Sequence, residues 1–111
     1  MVQYSPLDAT FGALADPTRR GVLERLGRSD ASISDLAGLF EMTLTGIKKH
    51  VGVLEDAGLV TTEKVGRVRT CSLGPRSLEE ESRWIGSYQR MLEERMDHLE
   101  AFLDRTKEIL P

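Results

Sequence analysis

Cysteine is nearly absent from this chain of 111 residues. Cys71 stands alone, which excludes an intramolecular disulfide and points to a reducing, cytoplasmic setting. Histidine is almost as scarce, with only His50 and His98. Neither sits in a motif, so a nucleophile, a base and an orienting group are hard to assemble, and no catalytic residue is expected. A glycine-rich phosphate loop is also missing, and no cofactor is expected. No apolar run approaches the roughly 20 residues of a membrane span, and the amino terminus lacks a basic-then-apolar signal segment. Neither repeats nor a Pro/Gly-rich linker divides the chain, which reads as one domain over residues 1–111.

What is present is an ordinary globular composition, 40% hydrophobic and 30% charged, with no signature of disorder. The formal net charge of -3 is unevenly spread. Residues 1–76 carry 10 Lys and Arg against 9 Asp and Glu, whereas residues 77–111 carry 5 against 9. Between Thr43 and Arg76 the balance is 6 against 3 in favour of the cations. A local excess of this kind matters more for an anionic partner than the total does.

Start and stop signals predict five helices and a hairpin. Leu7 to Leu14 suits a short first helix. Asp16-Pro17 opens a second, because Asp can cap and the missing N–H of Pro has no partner in a first turn. Val22, Leu23 and Leu26 give that helix a buried face through about Arg28. Ser32 and Asp35 form a capping box for a third helix, with Leu36, Ala37, Leu39 and Phe40 as its apolar content. After a break of about three residues Thr43 caps a fourth, which carries Ile47, Val51 and Leu54 on one face and closes at Ala57-Gly58. Leu59–Val65 and Val68–Leu73 are β-prone runs around Gly66-Arg67, a two-residue hairpin turn. A second capping box, Ser77 with Glu80, opens a helix of about 30 residues. The fold class is therefore mostly α with a small β-hairpin: a winged helix-turn-helix over residues 8–76 and a long carboxy-terminal helix over 77–110.

Opposite its apolar face the fourth helix carries Thr45, Lys48, Lys49 and Gly52. Lys and Thr at the front of a helix can reach base edges or phosphates in a major groove. Lys64, Arg67 and Arg69 bracket the hairpin turn, with Glu63 the only nearby acid. A cationic two-stranded tip suits phosphates or the minor groove. Two basic elements in succession favour double-stranded DNA as partner over a surface that is merely solvated.

These residues carry a resemblance. Ala15-Asp16-Pro17-Thr18-Arg19-Arg20, the run from Ile47 to Val60 and the Gly66-Arg67 wing resemble the ArsR family of bacterial transcription regulators over about residues 8–74. Trp84, Tyr88, the run Glu94-Arg95-Met96-Asp97, Leu99, Glu100 and Leu103 resemble a metal-independent branch often paired with a lipid-binding-like partner protein. The resemblance implies a dimeric repressor, here of its own operon, that leaves its operator when an effector binds. It further implies that Thr43, Thr45, Lys48, Lys49 and His50 lie at DNA-facing positions of the recognition helix, and Arg67 and Arg69 on the wing. Leu44 and Lys48 stand where the family often has Gln and Ser. Read by itself, His50 is a helix residue partly packed beneath the DNA-facing surface.

Metal sensing in that family needs a Cys-x-Cys directly before Asp-Leu in the third helix. This chain has Ser32-Ile33-Ser34 there, and a hydroxyl is a poor substitute for thiolate. Asp97 and His98 are adjacent, about 100° apart on a helix, with no later histidine, and Cys71 reads as a small buried apolar residue. No metal ligand is assigned, and the expected signal is a non-metal one. The alternatives are a metal-responsive repressor, or a winged-helix protein–protein module without DNA binding.

In the last helix Leu78, Ile85, Leu92 and Leu99 recur every seven residues, joined by Tyr88 and Phe102. Trp84 and Met91 flank this stripe on one side, Met96, Leu103 and Leu110 on the other. It is wider than one short domain needs. Pairing with a second copy is expected through Ile85, Tyr88, Leu92, Leu99 and Phe102, with Leu7 and Phe11 of the first helix. Trp84, Tyr88, Met91 and Met96 either line a pocket for an unidentified small-molecule effector or belong to the dimer core.

Overall fold

Side chains dictate where most helices begin in this chain. The computed structural model describes residues 5–109, with side chains through Lys107; Leu110 lies outside the described residues. Helix α1 (Pro6–Leu14) is opened by a capping box of Ser5 and Asp8, and α2 (Pro17–Leu26) by Asp16, whose carboxylate accepts from the Arg19 N–H at 3.0 Å. After β1 (Ala31–Ser32), α3 (Ile33–Leu39) is capped by Ser32 with Asp35. In α4 (Leu44–Asp56) Thr43 Oγ1 accepts from the Gly46 N–H at 3.0 Å. Each cap satisfies an N–H that the first turn leaves unpaired, contributing about 1 kcal/mol. Strands β2 (Val60–Val65) and β3 (Val68–Leu73) follow, then α5 (Glu79–Ile109).

The two central helices end in the same way with different residues. At the end of α4 the N–H of Leu59 reaches Leu54 O and that of Gly58 reaches Glu55 O, both at 2.9 Å, with Gly58 at φ 78°. This is a Schellman motif, which needs a left-handed residue. At the end of α3 the Met42 N–H reaches Ala37 O at 2.9 Å and Glu41 takes the left-handed position, φ 53°. That conformation costs Glu about 1–2 kcal/mol, because its Cβ crowds the following carbonyl. The connection between the two helices runs from Phe40 to Thr43, one residue longer than expected. Phe40 packs over Gly21, where a Cβ would stand 2.7 Å from its ring. Leu39 is 58% exposed, contrary to its expected place in the apolar face of α3.

The sheet has the order β1-β3-β2, all antiparallel. Gly66 alone at the hairpin turn has positive φ (64°), the pattern of a type II′ turn. Strand β1, with Ala31 opposite Cys71 and Ser32 opposite Thr70, is not legible in the sequence; two residues show no alternation. The core of this unit gathers Val22 and Leu26 of α2, Ile33, Leu36 and Ala37 of α3, Ile47, Val51 and Leu54 of α4, and Val60 and Cys71 of the sheet. Each buried Leu, Ile or Val contributes about 1.5–3 kcal/mol. Helices α3 and α4 followed by the hairpin make a winged helix-turn-helix.

The chain divides into two compact units, the first ending at Ser77 and the second beginning at Leu78. The second is α5. Its first intrahelical bond, Ser82 N–H to Leu78 O at 2.8 Å, makes Leu78 the capping position, one residue after the expected Ser77. Ile85, Leu92, Leu99 and Phe102 are each 39% exposed or more, as are Trp84, Tyr88, Met91, Met96 and Leu103. Among the described residues no helix is long and apolar enough to cross a membrane.

Two substitutions test the backbone account. Glu41→Gly is expected to raise the free energy of unfolding by about 1 kcal/mol, by removing the left-handed penalty. Gly74→Ala is expected to lower it by about 1–3 kcal/mol, because its Cβ would fall 2.4 Å from the Gly58 carbonyl oxygen. Urea titrations of both variants, read with unchanged m values, check the signs; the opposite order would show that these turns are built otherwise.

Candidate nucleic-acid interface

Helix α4 is anchored on one side by the fully buried Ile47 and Leu54. At about 100° per residue, Thr45 and Lys49 point directly away from that side. Lys48 turns toward one flank and His50 toward the other. Thr43, Thr45, Lys48 and Lys49 are exposed, and His50 is half-buried. Gly52 lies between Lys48 and Thr45 on the outer arc, and a Cβ there would meet nothing within 4 Å.

The flank of Lys48 faces the hairpin. A cleft of about 390 Å³ is lined by Ser32, Ser34, Leu44 and Lys48 on one side and by Lys64, Arg67, Val68 and Arg69 on the other. Four cations from two elements thus share one concavity, with no carboxylate in its lining. Coulomb repulsion among them is tolerable in water and becomes attraction for a polyanion laid across the cleft. Arg67 is exposed at the turn and makes no hydrogen bond or ion pair among the described residues. Arg69 is engaged: its Nη1 donates to Thr62 Oγ1 at 2.9 Å, and that hydroxyl donates to Glu55 Oε2 at 2.6 Å.

The opposite flank is fastened to the start of the fold. Arg19 donates from Nε to Ala13 O at 2.8 Å and from Nη2 to Gly12 O at 3.0 Å, occupying the end of α1. Its Nη1 lies 3.2 Å from His50 Nδ1, and Asp16 Oδ2 is 3.8 Å from the same nitrogen. Arginine can only donate, so the bond uses the tautomer with the proton on Nε2. His50 therefore faces the α1–α2 junction rather than the outer arc of α4. Sequence reasoning noted Asp16 and Arg19 for their position in a motif; nothing in the sequence pairs them with a residue thirty positions on.

At the positions where thiolates would stand, Ser32 Oγ is already committed to the Asp35 N–H at 3.0 Å. Cys71 is fully buried, and burial, followed by the nearby Glu55 charge, pushes its thiol above the usual value. A thiol held protonated is a poor nucleophile and a poor ligand. Among the described residues no three His, Cys, Asp or Glu side chains converge. In α5, Trp84 and Tyr88 stack with centroids 5.6 Å apart and planes 5° from parallel. With Ser87 and Met91 they line a hollow of about 280 Å³.

Comparison with known proteins agrees with the winged helix-turn-helix fold. The helix-turn-helix domain family matches residues 14–63, the stretch from the end of α1 into β2. YuzN of Bacillus subtilis (strain 168), an HTH-type transcriptional regulator, is 41% identical over 69 residues, 56% of this chain and 75% of that protein. The transcriptional repressor SdpR of the same strain is 28% identical over 79 residues, 71% of this chain and 88% of that one. A crystal structure of an ArsR family transcriptional regulator is 45% identical, with a TM-score of 0.73 over 84% of this chain and 97% of the other.

The Asp16 carboxyl is held below its ordinary value, chiefly by the Arg19 N–H it accepts, with desolvation opposing and the Arg19 charge assisting. A depressed folded pKa stabilises above the unfolded value, and the contribution is lost as pH falls through the folded one. Asp16→Asn keeps an acceptor for the cap but does not titrate. The melting-temperature advantage of the native chain over this variant is expected to be constant above about pH 5 and to shrink below about pH 4. A gap that stays constant down to about pH 2.5 would show that Asp16 does not titrate in this way.

Proposed function

The chain belongs to the ArsR family of transcriptional regulators, and from that membership we propose that it is a sequence-specific, homodimeric DNA-binding repressor of its own operon, acting in the cytoplasm. The observation that carries this reading is the cationic cleft between α4 and the hairpin. With α4 in a major groove, Thr45 and Lys49 point at base edges and Lys48 reaches either a base or the adjoining phosphate. Thr43 caps the helix at the end that enters first. Arg67 at the tip of the wing meets phosphates or the minor groove. His50 and Arg69 hold this surface from its two flanks.

Residues 8–76 would form the DNA-binding core and 77–110 the dimerisation helix. An exposed stripe of Ile85, Tyr88, Leu92, Leu99 and Phe102 costs free energy in water. A second copy of the same helix covers it with identical chemistry, and Leu7 and Phe11 of α1 extend the interface. Two-fold pairing sets two recognition helices about 34 Å apart, one turn of DNA. Release from the operator would follow a signal other than a metal, since Ser32 and Ser34 supply hydroxyls where soft metals need thiolates.

Duplex DNA binding measured against salt separates the two basic elements. Arg67→Ala is expected to weaken operator and scrambled DNA alike, and to flatten the log–log salt slope by nearly two units in a dimer, at about 0.9 per neutralised phosphate. Lys48→Ala is expected to reduce the ratio of specific to non-specific affinity, by about 1–3 kcal/mol for each base edge that Lys48 reads. An unchanged slope in the first and an unchanged ratio in the second would overturn these roles.

The dimer is tested on α5. Leu92→Glu sets a charge in the middle of the stripe in each subunit. Light scattering is expected to give the monomer mass, with operator affinity reduced at least tenfold. A folded variant that retains the dimer mass would place the interface elsewhere.

A further inference from the structure

We propose that Arg69 is a positioning residue of the DNA-binding surface: through Thr62 and Glu55 it fixes the wing against the recognition helix, and it does not itself neutralise an operator phosphate. This inference rests on the DNA-binding reading above and refines the part assigned there to the wing. The sheet register supplies the first observation. Val60, Thr62 and Lys64 of β2 stand opposite Leu73, Cys71 and Arg69 of β3. Side chains alternate along a strand, so these six share one face of the hairpin. Val60 and Cys71 on that face are buried, so it is the face turned toward the core. Arg69 leaves the backbone inward, whereas Arg67 sits in the turn with its charge free.

The second observation is a chain of two hydrogen bonds that crosses from one element to the other. Arg69 Nη1 donates to Thr62 Oγ1, its diagonal neighbour, and the single hydroxyl proton of Thr62 goes to Glu55 Oε2. Glu55 lies in the last turn of α4, two turns after Lys48 and on the same flank. A bond of 2.6 Å from hydroxyl to carboxylate is of the short, charge-assisted kind. A gap of about 220 Å³ separates helix and hairpin, bounded by Ile33, Lys48, Val51, Gly52, Glu55, Thr62 and Arg69. Gly52 contributes no side chain to it.

The consequence is geometric. Lys48 and Arg67 belong to different elements, and their separation has to match the spacing of groups on DNA. From Thr62 to the turn is about 13 Å of strand. A swing of the hairpin by about 10° would displace Arg67 by about 2 Å, more than a hydrogen bond tolerates. The clasp lies between the buried end of the hairpin and its tip, where it restrains that swing.

The test uses the full-length chain with Arg69→Ala, Thr62→Val and the double variant, against operator and scrambled DNA across a salt series. Thr62→Val removes no charge. If Arg69 positions the wing, each single variant weakens operator binding by about tenfold with the salt slope retained, and the double variant is no worse than the weaker single. If Arg69 holds a phosphate, Arg69→Ala flattens the slope by nearly two units and Thr62→Val has no effect; effects that add would equally overturn the proposal. Amide hydrogen exchange in the DNA-free protein supplies a second arm. Faster exchange from Lys64 to Arg69 in both single variants, at unchanged melting temperature, supports the clasp, and unchanged exchange refutes it. A native chain that does not prefer operator to scrambled DNA would sink the DNA-binding reading, while the exchange arm still decides whether the clasp holds the wing.

Discussion

A helix that reads a groove must leave one side bare, and the rest of this fold follows from how α4 is held without using that side. Its inner arc is fixed by Ile47, Val51 and Leu54, among the most completely buried residues of the protein. Apolar contacts resist lifting of the helix but are non-directional, and they restrain its rotation and slide less well. The two flanks carry directional bonds instead. Arg19 fastens His50 to the carbonyls that end α1, and Glu55 receives the chain from Arg69 through Thr62. Two kinds of restraint on three sides leave Thr45, Lys48 and Lys49 free.

The same division explains how a chain with a net charge of -3 presents a surface for a polyanion. Charges more than about 10 Å apart are largely screened at moderate salt. The total therefore says little about the potential inside one cleft, where four local cations dominate. Several carboxylates near α4 are engaged: Asp16 and Asp35 cap helices, and Glu55 accepts from the Thr62 hydroxyl. Each is held where its charge serves the fold.

Local chemistry was legible in the sequence because it acts over three or four residues. A cap, a capping box, a closing glycine and a two-residue turn each place side chain and backbone group next to each other along the chain. Ser32 with Asp35, Thr43, Gly58 and Gly66 could accordingly be assigned from their neighbours alone. The amphipathic spacing of Ile47, Val51 and Leu54 worked for the same reason, since one helix face is a local property. Resemblance at Asp16-Pro17-Thr18-Arg19-Arg20 and from Ile47 to Val60 added the family. Ser77 failed as a cap by one residue, and Glu41 was not recognised as a helix terminus because glutamate carries no preference for the left-handed region.

Sequence alone therefore determined the order of the five helices and the hairpin, the sign of charge on α4 and the wing, and the excess of apolar surface on α5. Tertiary structure alone decided which of those charges are free. Lys48, Arg67, Arg69 and His50 are all polar residues in basic stretches, and no periodicity separates them. The separation comes from pairings between elements: Arg19 with His50 and Ala31 with Cys71, far apart in the chain, and Thr62 with Glu55, seven residues apart but on strand and helix. Such pairs depend on how elements pack in three dimensions, and a hydrogen bond formed between elements leaves no pattern in either of the segments that make it.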